Sequence, residues 1–236
     1  MSENLGKRLL LKNNLSQAWN DLLMPIVEKD EFYLIIEQLV RDSPKFAPSV
    51  ENIFAAMRHI EPDQVRVIML GQDPYPQPDI ATGIAFANQL NVPTLSPSLS
   101  VILDELIESN EVHNEFTFFN NSDLIHWCEQ GVLLLNSSLT VKHYAPSSHK
   151  KLWKPFMLEF LPKLDKPDLI VVMTGNQAGD FSHCFTKAKY KFKVPHPAAD
   201  TYNNSRKFRG SEIFTKINKT LVNMCQSPIS WQGKLK

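Results

Sequence analysis

Four times the chain runs a short apolar stretch straight into a polar turn. Val65–Leu70 stops at Gly71-Gln72-Asp73-Pro74-Tyr75-Pro76, and Val132–Leu135 stops at Asn136-Ser137-Ser138. Leu169–Met173 stops at Thr174-Gly175-Asn176, and the alternating Tyr190–Val194 stops at Pro195-His196-Pro197. Runs this short fit strands, and the apolar ones fit strands buried on both faces of a parallel sheet. Segments with helical spacing separate them. The expected fold class is therefore α/β, a three-layer α/β/α sandwich with a central four-stranded, mainly parallel sheet. If the strands run parallel, Asp73, Asn136, Asn176 and His196 emerge along one edge, where open α/β sheets bind ligands.

With 236 residues the chain can bury one large core, and we expect a single domain over 1–236 with residues 1–14 as a loose N-terminal tail. Leu15–Leu39 has helical spacing in two pieces broken near Met24-Pro25, and Glu51–Ile60 reads as a short amphipathic helix. Gly83–Phe86 reads as a short extended piece. Further helices are expected at Leu99–Ser109, capped by Ser98 or Ser100, and at Asp123–Gln130, ended by Gly131. Two more are expected around Leu152–Leu161 and over Ser211–Met224.

Composition narrows the chemistry. At 43% hydrophobic and 21% charged residues the chain is globular in character. No apolar stretch approaches the ~20 residues of a membrane span. The opening segment has only a three-leucine patch, too short for a secretory signal, so none is expected. Cys128, Cys184 and Cys225 are widely spaced and form no C-x-x-C pair, which points to free thiols in a reducing, cytoplasmic setting. The seven histidines are scattered, so no metal is expected, and no phosphate-cradling glycine motif or nucleophile elbow occurs. Lys plus Arg equal Asp plus Glu at 25 each, yet positive charge gathers late, at Lys142-His143, His149–Lys154, Lys187–Lys193 and Arg206–Arg209. That distribution suits an anionic partner and equally suits a solvated face.

Each candidate has a plain structural reading beside the functional one. Asp73 alone would serve as a turn cap, Asn136 as a turn residue and Phe86 as a core aromatic. What raises Asp73 is its company: Gln72 and Tyr75 on a turn stiffened by prolines, since fixing polar groups costs entropy. His196, held between two prolines just past a strand, favours function over packing.

The string Gly71-Gln72-Asp73-Pro74-Tyr75 resembles the water-activating motif of the family 1 uracil-DNA glycosylases. Gly83–Phe86, Ser96-Pro97-Ser98-Leu99, Gly131–Thr140, Ser148-His149, Gly175-Asn176 and His196-Pro197 follow in that family's order, from about Leu15 to Trp231. The resemblance implies a base-excision repair enzyme that flips uracil out of DNA and hydrolyses its N-glycosidic bond, with no cofactor. It implies Asp73 and His196 as catalytic residues, and Gln72, Tyr75, Phe86 and Asn136 around the uracil. Asn136 would read the base edge, Phe86 would stack on it and Tyr75 would exclude a C5 methyl. His149 would support the water side, while Ser98, Gly175 and Asn176 would grip the DNA backbone. Implied partners are uracil-containing single- and double-stranded DNA, with proteinaceous uracil-glycosylase inhibitors and replication proteins as further ones, acting on a cytoplasmic monomer.

One loop departs from the pattern. The family's His-Pro-Ser-Pro-Leu-Ser reads here His196-Pro197-Ala198-Ala199-Asp200-Thr201. A serine hydroxyl is missing at Ala198, and the position that enters the base stack holds Asp200, which phosphates would repel. Counted back from Gly210 the loop is longer, and the wedge falls on Tyr202, with Arg206 and Lys207 as replacement phosphate contacts. The His-Pro-Ala-Ala loop also resembles the poxvirus branch, whose enzyme doubles as part of the polymerase processivity machinery. The alternatives are thus a DNA-binding scaffold with secondary catalysis, or a related glycosylase of different base specificity.

Overall fold

The structure, a computed structural model, describes residues 5–90, 94–113, 115–202 and 207–233, with the backbone alone at 115, 116 and 202. The chain opens with α1 (Leu5–Asn13), α2 (Gln17–Val27) and α3 (Asp30–Asp42), then β1 (Phe46–Ala47) and β2 (Val67–Gly71). Next come α4 (Pro97–Glu108), α5 (Glu115–Phe119), α6 (Ile125–Cys128), β3 (Val132–Asn136) and β4 (Val141–Lys142). The last part carries α7 (Lys150–Phe160), β5 (Ile170–Thr174), α8 (Gly175–Gly179), β6 (Tyr190–Val194), α9 (Pro197–Tyr202) and α10 (Ile213–Asn223).

The four expected strands form one sheet in the order β3-β2-β5-β6, and all three pairings are parallel. β2, β3 and β5 are buried at every residue, whereas β6 alternates and forms an edge. The chain leaves β2 toward β3 on one side and later returns to β5 on the other. The strand order therefore reverses beside β2, which is where a crevice opens at the carboxyl ends of such a sheet. Helices flank the sheet. A single hydrophobic cluster runs from Leu9 to Trp231. Among the described residues no helix is long and apolar enough to cross a membrane.

Several local expectations are corrected. The segment expected as a loose tail contains α1, with Leu9 and Leu10 buried. Asn13 explains why: its Nδ2 donates to Leu9 O (2.9 Å) and Val50 O (3.0 Å), and its Oδ1 accepts from Phe54 N (2.9 Å). A fully buried amide with three partners fastens this helix to the segment before β2. The same contact occupies the Phe54 N–H, and residues 50–57 form two 3₁₀ turns instead of the amphipathic helix expected there. Pro25 does not break its helix; α2 continues through it, and the Glu28 N–H closes the last turn on Met24 O (3.1 Å). Gly83–Phe86 makes no strand, although the Ala85 N–H reaches Leu134 O of β3 (3.1 Å). α4 starts at Pro97, and its cap position is Ser96, which makes no side-chain cap bond.

Candidate active site

Four strand ends deliver the site. Gly71 pairs in register with Asn136, so the turns after β2 and β3 leave the sheet side by side. The turn after β5 joins them through Thr174, whose hydroxyl donates to Leu70 O (2.9 Å). A pocket at this edge is lined by Asp73, Tyr75, Phe86, Ser98, Asn136 and His196, among others. Six of the predicted site residues are thereby brought together.

Gly71 is the floor. A Cβ there would lie 2.5 Å from Asn136 Oδ1 and 3.1 Å from the Phe86 ring, so only glycine lets the amide and the ring converge. Asn136 is 7% exposed, and its amide takes no hydrogen bond from any described residue. A buried amide left without a protein partner is costly, and one facing a pocket is satisfied by what enters it. Phe86 reaches the pocket from a left-handed backbone conformation (φ 67°), which a non-glycine residue adopts only where its surroundings impose it. Its ring lies 6.0 Å from that of His196. The Tyr75 hydroxyl donates to Phe86 O (3.0 Å) and lies 2.5 Å from the Ser96 hydroxyl, so the phenol is clamped in place. Burial pushes its pKa up, which keeps it neutral. Ser96, which also contacts Asn88 Oδ1 (2.8 Å), is a contributor that sequence reasoning assigned no role beyond its loop.

Asp73 accepts from the Ser147 N–H at Oδ2 and from the Gln72 side chain. Burial nevertheless outweighs these bonds and holds its carboxyl above the usual range. Ser147 was missed by sequence reasoning. It has a left-handed backbone (φ 64°), and its hydroxyl accepts from Gln72 Nε2 (3.2 Å) and Gln177 Nε2 (2.8 Å). The only sequence signal was its place beside His149.

His149, expected to support the water side, lies outside the pocket lining. The residue is 1% exposed, its Nδ1 pairs with Thr140 Oγ1 (2.8 Å), and its Nε2 pairs with Asp42 Oδ2 (3.0 Å). Both ring nitrogens have protein partners, so the ring holds in place the turn that carries Ser147. Burial lowers its pKa against the opposing pull of Asp42.

His196 is oriented by its own turn. The Ala198 N–H donates to Nδ1 (3.2 Å), which makes Nδ1 the acceptor and leaves the proton on Nε2. Burial pushes the imidazole pKa down from 6.5 to about 4, so the ring is neutral near pH 7. Gly175 (φ 81°) lets the turn after β5 approach it, since a Cβ there would meet His196 Cβ at 3.0 Å.

Gly175 and Asn176 do not line this pocket. They wall an adjoining groove of about 680 Å³ with Lys193, Pro195, Ala199 and Lys207. The worry over Asp200 is also corrected: its side chain is fully buried, facing the protein and not the groove. The wedge assignment to Tyr202 concerns a side chain outside the described residues, and Arg206 lies outside them altogether. Among the described residues no cluster of His, Cys, Asp and Glu could hold a metal ion.

A model of the uracil DNA glycosylase superfamily matches residues 57–222. A uracil-DNA glycosylase of Clostridioides difficile (strain 630) is 34% identical over 228 residues, covering 93% of this chain and 97% of the relative. One from Bacillus cereus (strain B4264) is 35% identical over 230 residues, covering 94% and 98%. The crystal structure of mimivirus uracil-DNA glycosylase superposes with a TM-score of 0.82 at 25% identity, covering 94% of this chain and 88% of that one. A tyrosine-to-phenylalanine variant of that mimivirus enzyme was solved in complex with UGI. With motif order, strand topology and whole-chain similarity in agreement, this chain belongs to the uracil-DNA glycosylase superfamily.

Proposed function

We propose that the pocket holds a uracil flipped out of DNA and cleaves its N-glycosidic bond by water attack, with the protein supplying charge and position and no cofactor. Hydrolysis builds positive charge on the deoxyribose and negative charge on the departing base. Asp73, acting as a carboxylate, stabilises the cationic sugar and orients the water, and the Ser147 N–H holds it. His196 donates from Nε2 to the uracil oxygen on which charge grows. Its neutrality matters, because a neutral ring beside Asp73 does not cancel the carboxylate's field.

Specificity follows from the same geometry. The Asn136 amide offers one donor and one acceptor to the uracil edge, and cytosine would leave these unpaired. Phe86 stacks on the ring. Tyr75, clamped by Phe86 O and Ser96, fills the space a C5 methyl needs. Ser98, on the rim, and Gly175 and Asn176, in the groove, contact the DNA backbone, and Tyr202 enters the vacated stack.

The observation that carries this reading is the His196 turn, where the Ala198 N–H fixes a neutral donor across the pocket from a buried carboxylate. We further assign the chain to a reducing cytoplasm, given its free cysteines, as a monomer. Its partners are single- and double-stranded DNA, a UGI-type inhibitor and replication proteins. The test is base release from uracil-, thymine- and cytosine-containing DNA by wild type, Asp73→Asn and Tyr75→Ala. Free uracil from the wild type and hardly any from Asp73→Asn, with thymine release appearing in Tyr75→Ala, supports the assignment. DNA binding without uracil release by the wild type would make the chain a scaffold.

A further inference from the structure

The missing hydroxyl at Ala198 and the buried Asp200 belong together. Asp200 Oδ1 accepts from Lys207 N (3.0 Å) and Phe208 N (3.2 Å), and Oδ2 accepts from Phe208 N (3.1 Å) and Arg209 N (2.9 Å). Three consecutive main-chain N–H groups thus converge on one carboxylate whose side chain has no exposure. Such a nest of amides binds an anion, here an internal one. Arg209 Nε adds a contact at 3.6 Å, and its Nη1 reaches Asp104 of α4 at 3.3 Å. The next residue continues the attachment: Gly210 N donates to Glu105 of α4. The segment after the undescribed residues is therefore fixed, by carboxylates, to both α9 and α4.

The segment begins at Lys207, which stands exposed on the groove wall with Lys193, Gly175 and Asn176. Among the described residues lining the groove the one acid is Asp180, and it faces Lys150 at 3.4 Å. A pair of lysines on a groove beside the pocket fits an anionic strand better than any neutral ligand. We infer that Asp200 is a positioning residue that pins Lys207 opposite Lys193, so that this chain grips a DNA phosphate with lysine charge where a hydroxyl at 198 is absent. The inference rests on the proposed use of the groove for the DNA backbone, and goes beyond it by naming the ligands and what sets them.

The sign of one substitution distinguishes this from a general field effect. Removing a negative charge near DNA strengthens binding if charge alone matters. If Asp200 acts by position, Asp200→Asn weakens binding, because the carboxylate that gathers three N–H groups is gone. The measurement is affinity for a uracil-free duplex as a function of salt, so that it does not depend on catalysis. Each lost phosphate contact lowers the slope of log K against log salt by about 0.9 on duplex DNA. Lys207→Ala and Lys193→Ala should each show that loss, Lys207→Arg should keep the wild-type slope, and Asp200→Asn should match Lys207→Ala. Tighter binding by Asp200→Asn, or a wild-type slope in Lys207→Ala, overturns the inference. Both lysines are exposed, so their variants decide the phosphate contact by themselves. For the positioning role Asp200→Glu, which keeps the carboxylate charge but displaces it, is the second variant, and a wild-type slope in it overturns that role. A wild type that binds duplex but releases no uracil would refute the proposed chemistry while leaving this result standing.

Discussion

The two sides of the cleft are built on opposite terms. On the side formed by β2 and β3, the polar groups are buried and fixed through neutral contacts: Asp73 by a backbone N–H, Tyr75 by a carbonyl and a hydroxyl, Asn136 by the glycine beneath it. On the side formed by α8, β6 and the segment from 207, exposed lysines face an open groove, and the fixing carboxylate lies behind them. The first arrangement suits chemistry, because preorganised groups in a dry pocket need no rearrangement as charge develops. The second suits an extended polyanion, where long-range attraction matters more than ångström placement. The lesson is that activity and grip should fail separately.

The largest effect is expected from Asp73→Asn, which should lower the single-turnover rate of uracil release by about 10²–10⁴-fold. Its stability should not fall with it. The folded protein raises the carboxyl pKa, so burial opposes the charged form, and at pH 7 a neutral isostere should unfold no more readily than the wild type. Loss of folding in that variant would mean that Asp73 is structural.

His196→Leu comes next, at about 10²–10³-fold in rate, as for one donor to a developing oxyanion. Its pH behaviour is more telling. Activity needs Asp73 charged and His196 neutral, so both groups contribute to the acid limb, and the variant should lose the step near pH 4. Stability carries the same signature. A histidine lowered from 6.5 to about 4 is no burden above pH 6.5, and the wild type should lose stability relative to the variant as pH falls through that window. Denaturant midpoints at pH 7 and pH 5 would read it.

Gly71→Ala should cost about 10²-fold in kcat/KM by displacing the Asn136 amide. Gly179→Ala, in the groove with nothing within 4 Å of its added Cβ, should stay within about 0.5 kcal/mol in stability. Equal losses of kcat/KM in both would erase the contrast between the sides. Within the pocket the smallest loss of activity is expected for Ser147→Ala, which keeps the N–H to Asp73 and removes only the acceptor for Gln72 and Gln177. About 1 kcal/mol, or roughly fivefold in rate, is the scale of such a bond.

Much of this was legible in the chain. Strand ends announced themselves because a buried parallel strand must be apolar throughout and must stop where polar side chains begin. That placed Asp73, Asn136, Asn176 and His196 on one edge, and the register between β2 and β3 then set Gly71 beside Asn136. What stayed hidden were side chains whose partners lie far along the sequence. Asn13 turns an expected tail into a packed helix through residues 50 and 54. His149 stood out by motif, and its partners Asp42 and Thr140, distant or unremarked in the sequence, could not be read from it. Asp200 occupied a wedge position by counting, yet three amides downstream draw it inward. Spacing reports which face a residue can occupy, but not which distant donor will claim it.

The most direct test places the two sides in one experiment: single-turnover uracil release from duplex DNA by Asp73→Asn and Lys207→Ala, over a range of enzyme concentrations at two salt concentrations. The account predicts that Asp73→Asn lowers the saturating rate while keeping the salt dependence of half-saturation. It predicts that Lys207→Ala shifts half-saturation more than the saturating rate and flattens that salt dependence. A collapse of the saturating rate in Lys207→Ala equal to that of Asp73→Asn, or an unchanged rate in Asp73→Asn, would contradict it.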